Sequence, residues 1–199
     1  MLKIINSQNL NYLAHIFLSG SHPQIQIGNF IGDFVKGNAF QNFPKKMAFG
    51  IQLHRKIDHF TDTNETVKEL KTLLRPEFGR YSGIIADMYL DHFLAVHFRN
   101  YSKISLNHFA FHFYVYALLY YRHLPPRVKG FIFHFIFTNR LGKYATTEGL
   151  KQSLEIMTYH KVPALQPEKI IQFLETNRQT IENLCLTYFA EVILHFQHK

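Results

Sequence analysis

Hydrophobic residues recur along most of this chain at the three- and four-residue spacing of an α-helix. Alternating β-branched runs bounded by hairpin turns, which would predict strands, are missing. The pattern therefore predicts an all-α fold, with residues 1–199 forming a single domain, a bundle of about eight or nine helices. The predicted helices are Asn9–Ser19, Pro23–Lys36, Pro44–Asp62, Glu65–Leu74, Pro76–Asn100, Leu106–His123, Pro126–Arg140, Thr147–His160 and Pro167–His198.

Proline, glycine and capping residues define the ends of these predicted helices. Gly20 and Gly37 stand where helices are expected to stop, and Asn64 is placed to cap a helix with Glu65 in its first turn. The prolines stand at positions where a helix start tolerates them, namely Pro23, Pro44, Pro76, Pro126 and Pro167.

Ionisable residues fall on a helix face that should be apolar in the segment Pro44–Asp62. At 100° per residue, one narrow stripe contains Met47, Ile51, His54, Asp58 and Thr61, with Asp62 beside it. Met47 and Ile51 indicate that this stripe faces inward. Because His54 and Asp58 are one turn apart, both side chains can reach a common point.

Three other segments place polar residues on inward faces. In Pro76–Asn100, Asp87 and Asp91 lie on an apolar stripe one turn apart, with His92 at its edge. Asp33 follows Gly28 and Gly32, which leave a groove without side chains that lets a helix or a ligand approach. This glycine pair is better explained by helix packing than by phosphate binding. The first helix adds Asn11 and His15, again one turn apart.

Buried carboxylates without partners are costly, so these aspartates need compensation. Ion pairs with Arg55, Arg80 or Arg99, together with hydrogen bonds from Tyr or His, are one solution. A divalent metal is the other, because one ion satisfies several carboxylates at once. Three helices that each present inward Asp or His favour the metal. Mixed imidazole and carboxylate ligation suits manganese, iron or zinc better than calcium.

The composition indicates the cellular location and the kinds of partner that fit this protein. The net charge of +8 favours acidic partners, but the basic residues are scattered, so nucleic-acid binding is not indicated. Cys185 is the sole cysteine, which fits a reducing, cytoplasmic location. No signal-length apolar run occurs at the start, and the most apolar stretches, 109–121 and 131–137, are too short to span a bilayer. A peripheral membrane contact and the oligomeric state stay open.

Four blocks of sequence, in order over residues 9–98, resemble the acyl carrier protein phosphodiesterase family, a divergent relative of the HD-domain phosphohydrolases. The first block is Asn11-Tyr12-Leu13-Ala14-His15, and the second runs from Gly28-Asn29-Phe30-Ile31-Gly32-Asp33 to Gly37. The third contains Leu53-His54-Arg55-Lys56-Ile57-Asp58 and Phe60-Thr61-Asp62, and the fourth contains Asp87 and Asp91-His92-Phe93-Leu94. His97-Phe98 departs from the family pattern, where a tryptophan is expected after the fourth block. The C-terminal half resembles the family only in length and in its helical, aromatic character.

The resemblance implies hydrolysis of the phosphodiester that joins 4'-phosphopantetheine to a serine of acyl carrier protein. Mn²⁺ is the expected ion, with Mg²⁺, Fe²⁺ or Zn²⁺ as alternatives. The expected ligands are Asp33, His54, Asp58, Asp87 and Asp91, with Asn11 and His15 behind them; Asp62 and His92 are the candidates for proton relay. The family lacks the tandem His-Asp dipeptide of HD enzymes, so the ligand assignment stays open.

Acyl carrier proteins are small and strongly acidic, so a basic enzyme would be steered towards them. Arg55, Lys56, Lys36, Lys45 and Lys46 are the candidate steering residues, although an ordinary solvated surface explains them equally well. Two other functions are compatible with the sequence. One is a phosphohydrolase acting on a nucleotide or another small phosphodiester, and the other is a non-catalytic basic helical module that binds an acidic partner.

Overall fold

Helices make up all the regular secondary structure in residues 12–160 and 162–197, which are the residues described by the structure, a computed structural model. The prediction of an all-α fold is therefore confirmed. The α-helices are α1 (Tyr12–Leu18), α2 (Pro23–Phe30), α3 (Lys45–Thr63), α4 (Glu65–Phe78), α5 (Ser82–Val96), α6 (Phe98–Tyr101), α7 (Leu106–Leu119), α8 (Pro126–Lys129), α9 (Ile132–Phe137), α10 (Arg140–Lys143), α11 (Thr147–His160), α12 (Pro167–Thr176) and α13 (Arg178–Gln197).

The predicted helix start at Pro76 is wrong. Pro76 lies inside the last turn of α4, which continues to Phe78, and α5 begins only at Ser82 after a short 3₁₀ turn at Gly79–Tyr81. A proline so close to the end of a helix removes one backbone hydrogen bond and leaves the rest of the helix intact. Asn64, by contrast, caps α4 as predicted, because its side chain accepts a hydrogen bond from the Val67 N–H at 3.1 Å.

Three predicted long helices are divided in the structure. The segment Pro23–Lys36 ends as an α-helix at Phe30 and continues as a 3₁₀ turn at Gly32–Phe34. Pro126–Arg140 becomes α8, α9 and the start of α10, and the last break lies at Asn139, whose φ of 46° is left-handed. Pro167–His198 is divided at Asn177 into α12 and α13. Hydrophobic periodicity persists across such short breaks, so it does not reveal them.

Helix α5 is the central helix of the fold. Every residue from Ile85 to Ala95 is buried, and α5 packs against α1, α4, α11 and α13. A helix that is enclosed on all sides is expected to be apolar all round. Asp87, Asp91 and His92 are therefore exceptions in α5 that need polar partners or a function. The buried hydrophobic side chains form one continuous cluster, from Leu13 in α1 to Val192 in α13.

Glycines allow α2 and α3 to approach each other closely. A Cβ atom at Gly28 would overlap the backbone of Met47, and one at Gly50 would overlap the backbone of Ile25. The predicted packing role of Gly28 is thereby confirmed. The close crossing brings residues of α2 directly beside His54 on α3. No helix in the described part of the chain has the length and hydrophobicity needed to cross a membrane.

Candidate metal centre

Two histidines and one aspartate converge where α1 meets α3. The Nε2 atom of His15 lies 3.1 Å from Oδ1 of Asp58, and the Nε2 atom of His54 lies 3.2 Å from Oδ2 of the same carboxylate. The two imidazole rings stack with their centroids 4.1 Å apart. The predicted meeting of His54 and Asp58 across one turn of α3 is thus confirmed, and α1 contributes His15 to the same point.

The Asp58 carboxylate lies between the two Nε2 atoms and is in ion-pair distance of each. Nε2 of His15 and Nε2 of His54 are both buried and have no hydrogen-bond partner among the described residues. One ligand atom from each of His15, His54 and Asp58 lies within 4.8 Å of the others. Three donor atoms this close together, two of them imidazole nitrogens and one a carboxylate oxygen, could serve as ligands to one ion.

Asn29 on α2 fixes the orientation of both histidine rings. Its Oδ1 accepts hydrogen bonds from Nδ1 of His15 at 2.8 Å and from Nδ1 of His54 at 3.2 Å. Its Nδ2 donates to Ser19 Oγ at 2.8 Å, which fixes which end of the amide faces the histidines. Because an amide oxygen can only accept, both Nδ1 atoms carry protons, and Nε2 is the atom that each ring would offer to an ion, as in proteins where a second residue holds each metal-bound histidine.

Asp33 lies beside this group, on the 3₁₀ turn at Gly32–Phe34. Its Oδ1 is 3.5 Å from Nε2 of His54. A Cβ atom at Gly32 would overlap the His54 ring, so glycine is needed for this turn to approach α3. The Asp33 and Asp58 side chains are 13% and 25% exposed, whereas the two histidines are almost completely buried. The carboxylates therefore form the side of the group that solvent or a substrate can reach.

The charges within the group shift the pKa values of its members in opposite directions. Burial lowers the pKa of His15, and the adjacent His54 lowers it further. Burial would also lower the pKa of His54, but Asp33 and Asp58 raise it to about 9. Against the effect of burial, the two histidines hold the pKa of Asp58 well below its usual range. Asp58 is therefore ionised at neutral pH and available as an anionic ligand.

Asp91 has a different position from the other predicted ligands. Its carboxylate accepts hydrogen bonds from the backbone N–H groups of Leu13 at 3.0 Å and Ala14 at 2.9 Å. It therefore caps the first turn of α1 and holds the helix that carries His15. Burial raises the pKa of Asp91, and the two N–H donors oppose that rise. The structure does not bring Asp91 into the group of His15, His54 and Asp58.

Asp87 is buried one turn before Asp91, and its side chain accepts no hydrogen bond from a described residue. Burial raises its pKa well above the usual value, and Asp58, Asp62 and Asp91 add to that rise, while Lys71 opposes it. This combination favours the protonated form of Asp87. Asp87 is therefore a buried acid on the same side of α5 as Asp58.

The two residues predicted to relay protons lie away from the group. Asp62 is 65% exposed and pairs with Lys71 at 2.9 Å. His92 is buried, and its Nδ1 donates to the Tyr144 carbonyl oxygen at 2.8 Å. Burial lowers the pKa of His92, and the nearby charges that act on it include Arg178 and Glu182. Asn11, predicted to lie behind the ligands, falls outside the described residues.

Among the described residues, the three arginines proposed as ion-pair partners, Arg55, Arg80 and Arg99, form their side-chain hydrogen bonds elsewhere. Arg55 donates to the carbonyl oxygens of Val35 at 3.0 Å and Gly37 at 2.7 Å, which ties the loop after Asp33 to α3. Arg80 donates to Tyr81 and Arg99 to the Lys103 carbonyl oxygen. Arg55 is thus partly committed to structure, whereas Lys56 and Lys36 are exposed and open to a partner.

Asn29 was the residue whose role the sequence analysis missed. The signal was present, since Asn29 is a polar residue between Gly28 and Phe30, four residues before Asp33. We expect Asn29→Ala to weaken binding of Mn²⁺ by about 10- to 100-fold, because both imidazoles lose the acceptor that orients them. Titration calorimetry would measure this, with Ser153→Ala as the control because Ser153 is an equally buried polar residue on α11. An unchanged affinity would contradict the orienting role.

Comparison with known proteins gives a consistent family assignment. A family profile described as Acyl carrier protein phosphodiesterase matches residues 10–192. A protein of that name from Yersinia pestis is 29% identical over 191 residues, covering 96% of this chain and 99% of the relative. One from Enterobacter sp. (strain 638) is 28% identical over 192 residues, with the same coverage. One from Escherichia coli O139:H28 is 38% identical over 96 residues, 48% of each chain.

No solved structure matched this chain significantly. Its relation to the HD-domain phosphohydrolases therefore stays a prediction. The resemblance seen in the first half of the sequence extends through the C-terminal half as well, since the profile and the full-length relatives both cover it. The chain belongs to the acyl carrier protein phosphodiesterase family.

Proposed function

We propose that this protein is a metal-dependent phosphodiesterase that converts holo-acyl carrier protein to apo-acyl carrier protein and 4'-phosphopantetheine. The observation that carries the proposal is the convergence of two imidazole nitrogens and one carboxylate within 4.8 Å of one another, in a chain of this family. With Cys185 buried as a free thiol, we assign the reaction to the cytosol.

The donor set supports manganese as the ion. Two imidazole nitrogens with one or two carboxylates, from Asp58 and Asp33, suit Mn²⁺, Fe²⁺ or Zn²⁺. Calcium and magnesium prefer oxygen ligands, so two nitrogen donors disfavour them. A bound divalent ion would supply Lewis-acid activation of water and would neutralise charge on the phosphoryl oxygens.

The protein's own residues have separate tasks in this proposal. His15, His54 and Asp58 hold the ion, Asp33 completes the ligand set on the open side, and Asn29 keeps both histidines in the required tautomer. Asp33 and Asp58 are the exposed members of the group, so the phosphodiester approaches from their side.

Asp87 is the proton donor that we propose for the leaving serine oxygen. Its burial raises its pKa and so favours the protonated form, and an acid with a raised pKa is suited to protonating an alkoxide as the phosphodiester breaks. It replaces Asp62 and His92 in this role, since Asp62 is exposed and paired with Lys71 and His92 is committed to the Tyr144 carbonyl.

The activity can be tested by the intact mass of holo-acyl carrier protein after incubation with this protein and Mn²⁺. We expect loss of the phosphopantetheine mass, which a chelator should prevent. An unchanged mass, with the protein folded and metal-loaded, would contradict the proposal and favour a small phosphodiester as substrate. A folded protein that binds no metal would instead favour the non-catalytic binding module.

Asp62→Asn tests whether Asp62 takes part in the reaction. Because Asp62 is exposed and contacts only Lys71 among the described side chains, we expect turnover of holo-acyl carrier protein to stay within about twofold of wild type. Initial rates at saturating substrate would measure this. A loss of tenfold or more would return Asp62 to the catalytic set.

A further inference from the structure

The net positive charge of this protein arises almost entirely in one stretch of sequence, because that stretch has no acidic residues. Residues 92–147, the basic tract, contain no Asp or Glu and seven Lys or Arg: Arg99, Lys103, Arg122, Arg127, Lys129, Arg140 and Lys143. The tract therefore supplies seven of the net eight positive charges. None of the seven forms an ion pair with a described residue, although cations elsewhere, such as Lys71 and Lys169, do. The tract thus has an uncompensated positive charge that an acidic partner could neutralise.

The same tract exposes most of the large apolar side chains on the surface. On α7, Phe111 is 63% exposed and Leu119 is 70% exposed, and Val115 and Leu118 lie on the same helix face. On α9, Phe133 is exposed and Phe137 is 84% exposed. Adjacent exposed apolar residues on a folded protein mark an interaction site when they are surrounded by polar groups. Within the basic tract itself, every Asp, Glu, Lys or Arg residue is a Lys or Arg.

Ring contacts connect this surface to the candidate metal centre. Phe34, which follows Asp33 in the chain, lies 5.9 Å from the Phe131 ring at the start of α9. Two residues later in α9, Phe133 contacts the Tyr121 ring at 5.4 Å. The start of α9 therefore adjoins the turn that carries Asp33. This proximity is what a substrate with a phosphodiester on its surface requires.

We propose that the exposed faces of α7 and α9, together with Arg122 and Arg127, form the docking surface for the acidic protein substrate. This inference rests on the proposed function. Apolar side chains at the centre and unpaired cations at the edge suit a partner whose apolar patch is surrounded by carboxylates. A second copy of this chain would bring seven more cations to the same surface, so self-association through this face is disfavoured.

The docking surface can be tested without relying on catalysis, by measuring the Kd of fluorescently labelled apo-acyl carrier protein. We expect Arg127→Glu and Leu119→Ser each to raise this Kd, and the KM for the holo protein, by about 5- to 10-fold with little change in kcat. The matched controls are Arg75→Glu on α4 and Leu194→Ser on α13, which change exposed residues outside the tract. Both controls should stay within about twofold of wild type.

The outcomes separate this inference from the proposed function. Wild-type protein that binds apo-acyl carrier protein through Arg127 and Leu119 but does not cleave the holo form would support docking and contradict the function. Cleavage with unchanged Kd and KM in Arg127→Glu and Leu119→Ser would overturn docking alone. Equal losses in the control variants would also overturn it. If these two variants lose only binding to phosphatidylserine-containing vesicles, the surface is a membrane contact and the proposal is wrong.

Discussion

Replacing Asp58 with Asn will reduce turnover of holo-acyl carrier protein by about a thousandfold or more. Asp58 is the residue that joins the two histidines, with one carboxylate oxygen near each Nε2 atom. Asparagine has nearly the same shape but no charge, so the variant keeps the packing of α3 and loses the anionic ligand. Initial rates with Mn²⁺ at increasing concentration would measure the loss and show how much added metal restores.

The control for this variant is Asp62→Asn, which makes the same chemical change one turn later on α3 at an exposed position. Circular dichroism should show the helical content of wild type for both variants. If Asp58→Asn retains full activity, Asp58 is not a ligand and the histidine pair alone would have to hold the ion. If both variants lose activity equally, the loss would come from removing a negative charge on α3 and not from removing a metal ligand.

Replacing Asp91 with Asn will lower the free energy of unfolding by about 2–4 kcal/mol. Both oxygens of Asp91 accept backbone hydrogen bonds, from Leu13 and Ala14, in a site that is completely buried. The asparagine NH₂ group would face one of these backbone N–H groups. Both of these groups are donors, so each would be buried without an acceptor. The loss should appear as a lower midpoint of urea denaturation with an unchanged dependence on urea.

The Asp91 variant also separates a structural role from ligation. Because Asp91 holds α1 and not the ion, we expect Asp91→Asn to bind Mn²⁺ with the stoichiometry of wild type at temperatures where it is folded. A variant with normal stability that binds no metal would contradict this and restore Asp91 to the ligand set. Ser82→Ala is a suitable control, since Ser82 is also buried on α5 and bonds only to Gly79 nearby.

Local spacing predicted the part of the site that lies within one helix. His54 and Asp58 are one turn apart, and helix geometry alone brings their side chains to one point. The same argument placed Asp87 and Asp91 on a buried face, which is confirmed. It could not tell that Asp91 caps α1, because that partner is more than seventy residues away in sequence.

The remaining members of the site depend on how helices pack. His15 on α1 and Asn29 on α2 reach the group only because α2 crosses α3 closely at glycine positions. Sequence periodicity indicates which face of each helix is buried, but not which helix covers it. The residues of the docking surface illustrate the same limit, since α7 is apolar on both its buried and its exposed faces. The sequence could not distinguish the two faces.

The ligand set can be tested most directly by pulsed electron paramagnetic resonance of Mn²⁺ bound to the wild-type protein. Nitrogen nuclei that coordinate the ion modulate the electron spin echo, so the measurement counts imidazole ligands without requiring activity. Two coordinated nitrogens are expected from Nε2 of His15 and Nε2 of His54. One nitrogen should remain in His15→Gln and one in His54→Gln. A bound Mn²⁺ without nitrogen coupling in the wild-type protein would place the ion elsewhere and contradict the proposed centre.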